Sequence, residues 1–335
     1  MEDPQITLAH GNGGRYMREL IEGIFARHLC NPALDLGLDA APLDLGHALQ
    51  PCITTDAFTV QPLEFPGGDI GSLAVNGTVN DLAVSGATPR FLTLNAIIEE
   101  GLATATLERI VQSLAAAARV ASVCVVAGDT KVVPRGQGGG LYLVTTGVGL
   151  RDPACRLGLR EIRAGDVVLV SGPVGDHGVA VMLARGEFDL QGAVRSDCMA
   201  VTPLTAPIAG LAGLRFMRDP TRGGLATVAH EIVAATGLDL RLWEARIPMR
   251  EAVRSCCEIL GYEPLYLACE GRVVAVASPE AAPRILATWR ATPGGEAAAA
   301  IGVLGEGAGR VVLETELGGE RVLEELEDDP LPRIC

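Results

Sequence analysis

Aromatic side chains and basic residues are scarce in this sequence of 335 residues. Only 4% of the residues are aromatic, and 27 Lys and Arg stand against 41 Asp and Glu, which gives a formal net charge of −14. Binding to a nucleic-acid backbone requires dense positive charge, so we expect no nucleic-acid partner. Because the chain is itself acidic, we expect metal ions to accompany any phosphate ligand.

Long apolar runs are also missing. Although 48% of the residues are hydrophobic, the longest charge-free run, Cys198 to Leu214, contains Pro203 and Pro207. A bilayer crossing needs about 20 consecutive apolar residues. The first ten residues, MEDPQITLAH, are acidic where a signal peptide is basic, and no apolar segment follows them. We therefore expect no membrane association and a cytoplasmic location.

Several sequence motifs are absent. The nine cysteines include no C-x-x-C pair, so neither a disulfide framework nor a zinc site is predicted, and most cysteines are expected to be small buried residues. No G-x-x-x-x-G-K-[ST] or G-x-S-x-G motif occurs, and GEGAG at 305–309 is a poor match to the dinucleotide fingerprint. These absences exclude P-loop proteins and the α/β-hydrolase type of nucleophile.

What the sequence does contain is an alternation of short β-rich runs with helical patterns, which predicts an α/β (α+β) protein. Predicted strands are 52–60, 90–99, 123–133, 140–150, 165–175 and 271–278, and predicted helices are 105–121 and 221–237. We predict four parts: an N-terminal arm with a Gly-rich loop (1–38), a first α/β domain (39–152), a second (153–326) and an extended tail (327–335).

Three segments combine an aspartate with small residues. They are TTDAF with Asp56, NGTVNDLAVSGATP with Asp81, and VVAGDTKVV with Asp129. An Asp at a strand end beside Gly or Thr can bind a metal while the backbone closely approaches a ligand. Turn formation explains any one of these residues equally well. Asn76 and Asn80 lie four residues apart, as do Gly77 and Asp81, and this is helical spacing. Because Asn and Gly lower helix propensity, something other than helix stability selected Asn76, Gly77 and Asn80.

Two glycine-containing segments are candidates for phosphate binding. In RDPTRGGLA, Asp219, Thr221 and Gly223 come just before a predicted helix, where free backbone N–H groups can bind an anion. The alternative is that Asp or Thr simply caps the helix. The segment HGNGGR at 10–15 can wrap a phosphate or be a flexible arm.

Taken together with the C-terminal PRIC, these segments resemble the HypE family of hydrogenase maturation factors, from residue 10 to the last residue. That family belongs to the superfamily of aminoimidazole ribonucleotide synthetase, selenophosphate synthetase and thiamine-monophosphate kinase. The resemblance implies two α/β domains that bind ATP between them, and a homodimer formed through the first domain.

The resemblance also implies a reaction. In the family the carbamoyltransferase HypF carbamoylates the terminal cysteine, here Cys335, and ATP then drives dehydration of the S-carboxamide to a thiocyanate. The cyanide passes to iron held by the HypC–HypD complex, on its way to the [NiFe]-hydrogenase active site. The alternatives are another ATP-dependent synthetase or kinase of the superfamily that acts on a small molecule, and a non-catalytic adaptor with a docking tail.

Site residues carried over from the family fall into three groups. The implied Mg²⁺ ligands are Asp56, Asp81, Asp129 and Asp219. The implied ATP contacts are Gly11, Gly13, Gly14, Thr55, Asn76, Asn80, Gly128, Thr221 and Gly223. Catalysis is assigned to Cys335, Lys131 and Glu270, with the last two handling protons and developing charge. A strand-end surface carboxylate is the alternative for Glu270, and an ion pair with a neighbouring Asp is the alternative for Lys131.

The tail is long enough to serve two sites. Nine extended residues, 327 to 335, span up to about 30 Å, which allows the tail to move between the cleft and another protein. An unperturbed thiol with a pKa of about 8.5 is mostly protonated at neutral pH. We therefore expect the carbamoylating partner to activate Cys335.

Overall fold

The structure is a computed structural model that describes residues 14–20, 22, 37, 41–42, 48–186 and 193–327. Predictions for Gly11, Gly13 and Cys335 lie outside the described residues. Helices and strands alternate through the described part of the chain, which confirms the predicted mixed α/β character. The predicted division into four parts stays a prediction.

The first half of the described chain is built on a five-stranded sheet with the order β1-β2-β7-β5-β6. Its strands, with the short hairpin strands β3 and β4 beside it, are β1 (Ala41–Pro42), β2 (Gln50–Phe58), β3 (Glu64–Phe65), β4 (Gly68–Asp69), β5 (Ala87–Glu99), β6 (Cys124–Val133) and β7 (Leu141–Arg151). Strands β5 and β6 pair in parallel, and the other neighbours in this sheet are antiparallel.

Three helices belong to this half, and two of them cover one face of the sheet: α1 (Arg15–Leu20), α2 (Ile70–Val84) and α3 (Thr104–Val120). Helix α3 is amphipathic and buries Ile110, Leu114 and Ala118. The apolar spacing predicts a buried face made of Leu107, Ile110, Val111 and Leu114, but Val111 is 48% exposed, so the prediction is wrong for that residue. Helix α2 is buried on almost every side, because it packs between this sheet and the second half of the molecule.

The second half contains a seven-stranded sheet with the order β14-β13-β10-β12-β8-β11-β9. Its strands are β8 (Val167–Val170), β9 (Leu214–Arg218), β10 (Asp239–Trp243), β11 (Val274–Ala277), β12 (Ala299–Gly305), β13 (Val311–Glu314) and β14 (Glu320–Val322). Its helices are α4 (Asp176–Arg185), α5 (Thr202–Thr205), α6 (Gly224–Thr236), α7 (Glu251–Leu260) and α8 (Ala282–Arg290).

The predicted elements occur close to their expected places. The helices predicted at 105–121 and 221–237 are observed as α3 and α6. The strand predicted at 165–175 is shorter, since after Val170 the chain turns toward α4, and the strand predicted at 271–278 is confined to β11. None of the helices in the described part of the chain combines the length and apolar character needed to cross a membrane. All seven described cysteines are free, and four of them are buried.

Candidate functional site

Helix α2 carries the polar segment singled out in the sequence. It begins with a capping box, in which Asp69 Oδ1 accepts hydrogen bonds from Gly71 N (2.7 Å) and Ser72 N (2.9 Å). Gly77 is explained by packing, because a Cβ atom there would lie 2.8 Å from the ring of Phe58. The helix is thus fixed at its start and pressed against the sheet, which holds its later residues in place.

Four carboxyl groups come together where the two halves of the molecule meet. Asp56 lies on β2, Asp81 near the end of α2, Asp219 just after β9, and Glu270 just before β11. Asp219 and Glu270 are only 5% and 4% exposed. Thr54 Oγ1 donates a hydrogen bond to Asp81 Oδ2 (2.8 Å), so neighbouring elements of the first half orient this carboxyl group.

The carboxyl groups from the first half disfavour one another's ionisation. Burial raises the pKa of Asp81 well above its usual range, and the charges of Asp219 and Asp56 raise it further. Burial likewise raises the pKa of Asp56, and the Arg222 guanidinium offsets part of this rise. Arg222 Nη2 lies 3.8 Å from Asp56 Oδ1, so one cation from the second half faces the cluster.

The carboxyl groups from the second half are affected in the same way. Burial raises the pKa of Asp219 from 3.8 to about 6, although the Arg218 guanidinium opposes the rise. Burial raises the pKa of Glu270 well above its usual range, with Asp219 and Asp197 adding to the effect. Such shifts are typical of carboxyl groups that a bound cation or a proton must neutralise.

Helix α6 begins shortly after Asp219 in the chain. Gly223 and Gly224 have φ angles of +70° and +58°, a region that favours glycine. A Cβ atom at Gly224 would lie 2.5 Å from the carbonyl oxygen of Leu267. The Gly224 N–H bonds to the Thr221 carbonyl (2.9 Å), and no side chain caps this helix. The capping alternative for Asp219 and Thr221 is therefore wrong, and the helix end is suited to binding an anion.

Two other predicted site residues, the metal ligand Asp129 and the catalytic Lys131, lie on a different surface. Asp129 and Lys131 are exposed on β6, beside Asn95 and Ile97 of β5, on the face of the sheet that α2 and α3 leave open. Three strand spacings, about 14 Å, separate β6 from β2 and Asp56. Within one chain, the structure does not bring Asp129 and Lys131 to the carboxylate cluster.

Two predicted ATP contacts also belong to this first sheet. Thr55 is exposed on the open face, where its Oγ1 donates to the Thr145 carbonyl (2.9 Å). Gly128 lies on β6 opposite Leu94, and a Cβ atom at Gly128 would collide with the Leu94 carbonyl oxygen, so close strand packing already requires glycine there. Gly128 lies away from the four carboxyl groups, and Thr55, although it precedes Asp56 on β2, faces the opposite side of the sheet.

Asn76 and Asn80 face the second half of the molecule. Asn76 Nδ2 lies 3.5 Å from Cys198 Sγ. The Asn80 amide bonds to the backbone of Met199, Val201 and Glu270. The predicted contacts of both residues with a nucleotide stay predictions.

Gly14, the described glycine of HGNGGR, is buried and lies next to the base of the C-terminal tail. The Arg15 N–H donates to the Leu326 carbonyl (2.8 Å), and Arg18 Nη2 donates to Glu325 Oε2 (2.9 Å). The two ends of the described chain therefore meet. The C-terminal tail therefore begins close to Gly14.

The sequence reasoning missed three residues of this site. Arg222 lies between two predicted ligands, Thr221 and Gly223, and that position was a usable signal. Thr54 precedes the predicted Thr55 but faces the opposite side of the sheet. Asp197 has no motif around it, so nothing in the sequence pointed to it.

The donor groups suit magnesium better than a softer metal. Mg²⁺ prefers oxygen ligands, and the four clustered side chains are all carboxyl groups. Their raised pKa values mean that a cation would relieve repulsion already present. Among the described residues, no group of three His, Cys, Asp or Glu side chains is placed so that it could hold a metal ion by itself. The residues therefore fit Mg²⁺ that arrives with the phosphates of a nucleotide, which complete its coordination.

Known proteins resemble this chain in sequence over most of its length. Models of the AIR synthase related protein family match residues 37–151 (N-terminal domain) and 163–314 (C-terminal domain). The carbamoyl dehydratase HypE of Azotobacter vinelandii is 45% identical over 337 residues, which cover 100% of this chain and 98% of that protein.

Two solved structures are similar along most of the chain. A crystal structure of a HypE–HypF complex has a TM-score of 0.86 and 40% identity, covering 92% of this chain and 99% of that one. The hydrogenase maturation protein HypE in complex with ATP has a TM-score of 0.82 and 42% identity, covering 99% and 100%. The predicted two-domain fold of the aminoimidazole ribonucleotide synthetase type is confirmed, and the chain belongs to the HypE family within the AIR synthase related proteins.

Proposed function

We propose that this protein uses ATP to dehydrate a carbamoyl group carried on the sulfur of its own Cys335, producing a thiocyanate. One observation carries the proposal: carboxyl groups from both halves converge, and an uncapped helix end follows one of them, Asp219, along the chain. It occurs in a chain whose relatives are named carbamoyl dehydratases. The thiocyanate would supply the cyanide ligand for the iron of [NiFe]-hydrogenase.

The reaction balances as follows. The carbamoyl oxygen attacks the γ-phosphorus of ATP, and the bond to ADP breaks. The amide nitrogen then loses its protons, the carbon–oxygen bond breaks, and inorganic phosphate departs as the C≡N bond completes. Direct dehydration would have to expel oxide, whereas phosphorylation converts that oxygen into a good leaving group. R–S–C(O)NH₂ and ATP thus give R–S–C≡N, ADP and phosphate.

Glu270 is the proposed base for the amide protons. A buried carboxyl group whose pKa is raised holds a proton more strongly than one in water, so Glu270 is suited to accept a proton from nitrogen. Asp219 and Asp197 contribute to its raised pKa by repulsion. Positive charge delivered near Asp219 would weaken this repulsion and make the basic form of Glu270 available when the substrate is bound.

ATP is the proposed cosubstrate, and the uncapped α6 terminus with Thr221 and Gly223 is the proposed phosphate contact. Asp56, Asp81 and Asp219 are the proposed Mg²⁺ ligands, joined by Asp129. When bound, Mg²⁺ would neutralise phosphate charge in a site that otherwise repels it. Lys131 is proposed to stabilise the negative charge that develops on the transferred phosphoryl group.

A homodimer formed through the first sheet is the proposed assembly. Strand β6 is an edge strand, and Val125, Val126 and Val132 on it are 40%, 59% and 63% exposed. An edge with exposed apolar side chains favours association with another chain. Such a dimer would cover the face that carries Asp129 and Lys131, and would bring these residues toward the partner's cleft.

HypF is the proposed donor of the carbamoyl group, and the HypC–HypD complex is the proposed acceptor of the cyanide. The HypE protein solved in complex with HypF is 40% identical to this chain, which supports the first assignment. The second follows from the family resemblance of the C-terminal PRIC. A cytoplasmic location is proposed, in keeping with the absence of a membrane-spanning helix among the described residues.

The test follows the mass of the tail. The protein is carbamoylated by HypF, incubated with MgATP, and its C-terminal peptide is weighed by mass spectrometry. We expect the carbamoylated peptide to lose the mass of one water molecule, and Cys335→Ser to abolish both modifications. ATP turnover without any change in the carbamoylated peptide would contradict the proposal and favour a superfamily member that acts on a small molecule.

A further inference from the structure

We propose that Asn80 is a positioning residue that fixes Glu270 relative to Asp81 by joining the two halves of the molecule. Asn80 is 1% exposed and directly precedes Asp81 on α2. Its hydrogen bonds all go to backbone atoms of the second half. The inference rests on the proposed function of Glu270 as the base, and it assigns Asn80 a role different from the nucleotide contact predicted from the sequence.

The Asn80 amide group uses both kinds of hydrogen-bonding atom across this junction. Its Nδ2 donates to the carbonyl oxygens of Met199 (3.0 Å) and Glu270 (3.2 Å), and its Oδ1 accepts from the Val201 N–H (2.8 Å). A side-chain amide has two N–H donors, so both are engaged. No donor of Asn80 is left for a nucleotide.

The backbone of Glu270 is fixed from both sides. Its carbonyl accepts from Asn80 and from the Met199 N–H (3.3 Å), while its own N–H donates to Asp197 Oδ1 (3.0 Å). Asp197 is in turn held by Arg272, whose Nε lies 3.4 Å from Asp197 Oδ2. Main-chain atoms on both sides of the Glu270 Cα are therefore restrained, which fixes the point from which its side chain extends.

Asn80 therefore connects two residues with proposed functions, Asp81 and Glu270. Asp81 is one residue from Asn80 on a buried helix, and Glu270 is one hydrogen bond from Asn80. Asn is a poor choice for helix stability, but an aliphatic residue there would remove three hydrogen bonds to backbone groups, although the Glu270 carbonyl would still accept from the Met199 N–H. A shift of about 1 Å between reacting groups can lower a rate by about 100-fold, so this link is where the chain sets the catalytic geometry.

The experiment compares Asn80→Ala and Asn80→Asp with Ser85→Ala. Ser85 lies at the end of the same helix and is 4% exposed, and its hydroxyl donates to the Leu82 carbonyl (2.7 Å), within the helix. The control therefore loses a buried hydrogen bond of α2 without touching the junction. Asn80→Asp keeps an acceptor for Val201 but removes both donors, and it provides a second variant if Asn80→Ala does not fold.

Hydrogen exchange tests the link without reference to activity. In Asn80→Ala the Val201 amide loses its acceptor, so peptides covering 198–201 should exchange at least about 10-fold faster than in wild type, as expected for a lost hydrogen bond worth about 1.4 kcal/mol. In Ser85→Ala the same peptides should exchange at the wild-type rate. Unchanged exchange in Asn80→Ala would overturn the inference.

Kinetics then test the role in positioning. Single-turnover dehydration of protein already carbamoylated on Cys335, at saturating MgATP, should slow by about 10- to 100-fold in Asn80→Ala, with the Kd for MgATP changed less than about threefold. A raised Kd with an unchanged rate at saturation would instead make Asn80 a nucleotide contact and overturn the inference. If wild-type protein performs no dehydration at all, the proposed function fails, and the exchange result still decides whether Asn80 joins the two halves.

Discussion

Two groups of acidic residues in this protein look alike in sequence and differ sharply in structure. Asp56, Asp81 and Asp219 are gathered with Glu270 at the junction of the two halves, where burial and mutual repulsion raise their pKa values. Asp129 lies about 14 Å away on the exposed edge strand β6. A segment that combines an Asp with Gly or Thr is therefore a signal for chemistry, but it does not say in which chain the chemistry takes place.

The largest expected effect tests whether these two groups form one site across a dimer. Asp81→Asn and Asp129→Asn are each expected to weaken MgATP binding at least about 100-fold as homodimers. When the two variants are co-expressed with different tags and the mixed dimer is purified through both, one of its two sites retains both aspartates. We expect that dimer to bind MgATP at about half the wild-type capacity, because a twofold dimer has two equivalent sites.

The control for this experiment pairs two residues that share a cleft within one chain. Asp81→Asn co-expressed with Asp219→Asn leaves each cleft of the mixed dimer with one lost carboxylate, so no capacity should return. Calorimetric titration with MgATP gives the capacity in both cases. Failure of the Asp81 and Asp129 pair to complement would show that Asp129 does not complete the partner's site.

The comparison also shows what the sequence could and could not predict. Helix α3 follows its apolar spacing except at the exposed Val111, so its position and most of its buried face were predictable. Helix α2 is buried on nearly all sides, so periodicity said little about it, and its Gly77 is required by the Phe58 ring rather than by a ligand. Local patterns do not contain such contacts between distant segments.

Only some residues of the candidate site could be predicted from the sequence. Asp219 lies in a segment singled out in the sequence, Glu270 is implied by the family resemblance, and the structure gathers both with Asp56 and Asp81. Asp197, 73 residues before Glu270, accepts a hydrogen bond from the Glu270 N–H, but no motif surrounds Asp197 in the sequence. The distance between Asp56 and Asp129 follows from the strand order, which sequence spacing alone does not give.

A second prediction uses pH to sharpen the same comparison. Because the pKa of Asp219 is raised to about 6, this residue is partly protonated near pH 6 and must lose that proton when a cation binds. MgATP affinity should therefore increase as pH rises from about 5.5 to 7, by up to about 10-fold per pH unit for one released proton. Calorimetry in two buffers of different ionisation enthalpy counts the released protons directly.

The matched variant for this measurement is Asp219→Asn, titrated at MgATP concentrations high enough to saturate its weakened site. It should release fewer protons per bound MgATP than wild type at pH 6. ATP itself contributes equally to both titrations, so the difference reports on the protein. Equal proton release by the two proteins would show that Asp219 does not titrate on binding.

The smallest expected effect concerns the stability of the protein without ligands. The pKa of Asp219 is 3.8 as an ordinary aspartate and about 6 when folded, so the folded state binds the proton more tightly. The free energy of unfolding should fall as pH rises from about 4 to 6, and the loss should be complete above pH 6. Asp219→Asn removes this cost and should raise the free energy of unfolding at pH 7.5 by about 3 kcal/mol, with little difference from wild type near pH 4. Asp129 is exposed, so Asp129→Asn should change stability by less than about 0.5 kcal/mol at either pH. Urea unfolding of the three proteins in the presence of a chelator measures these differences, and a stabilisation by Asp219→Asn that persisted undiminished at pH 4 would have to come from packing rather than from charge.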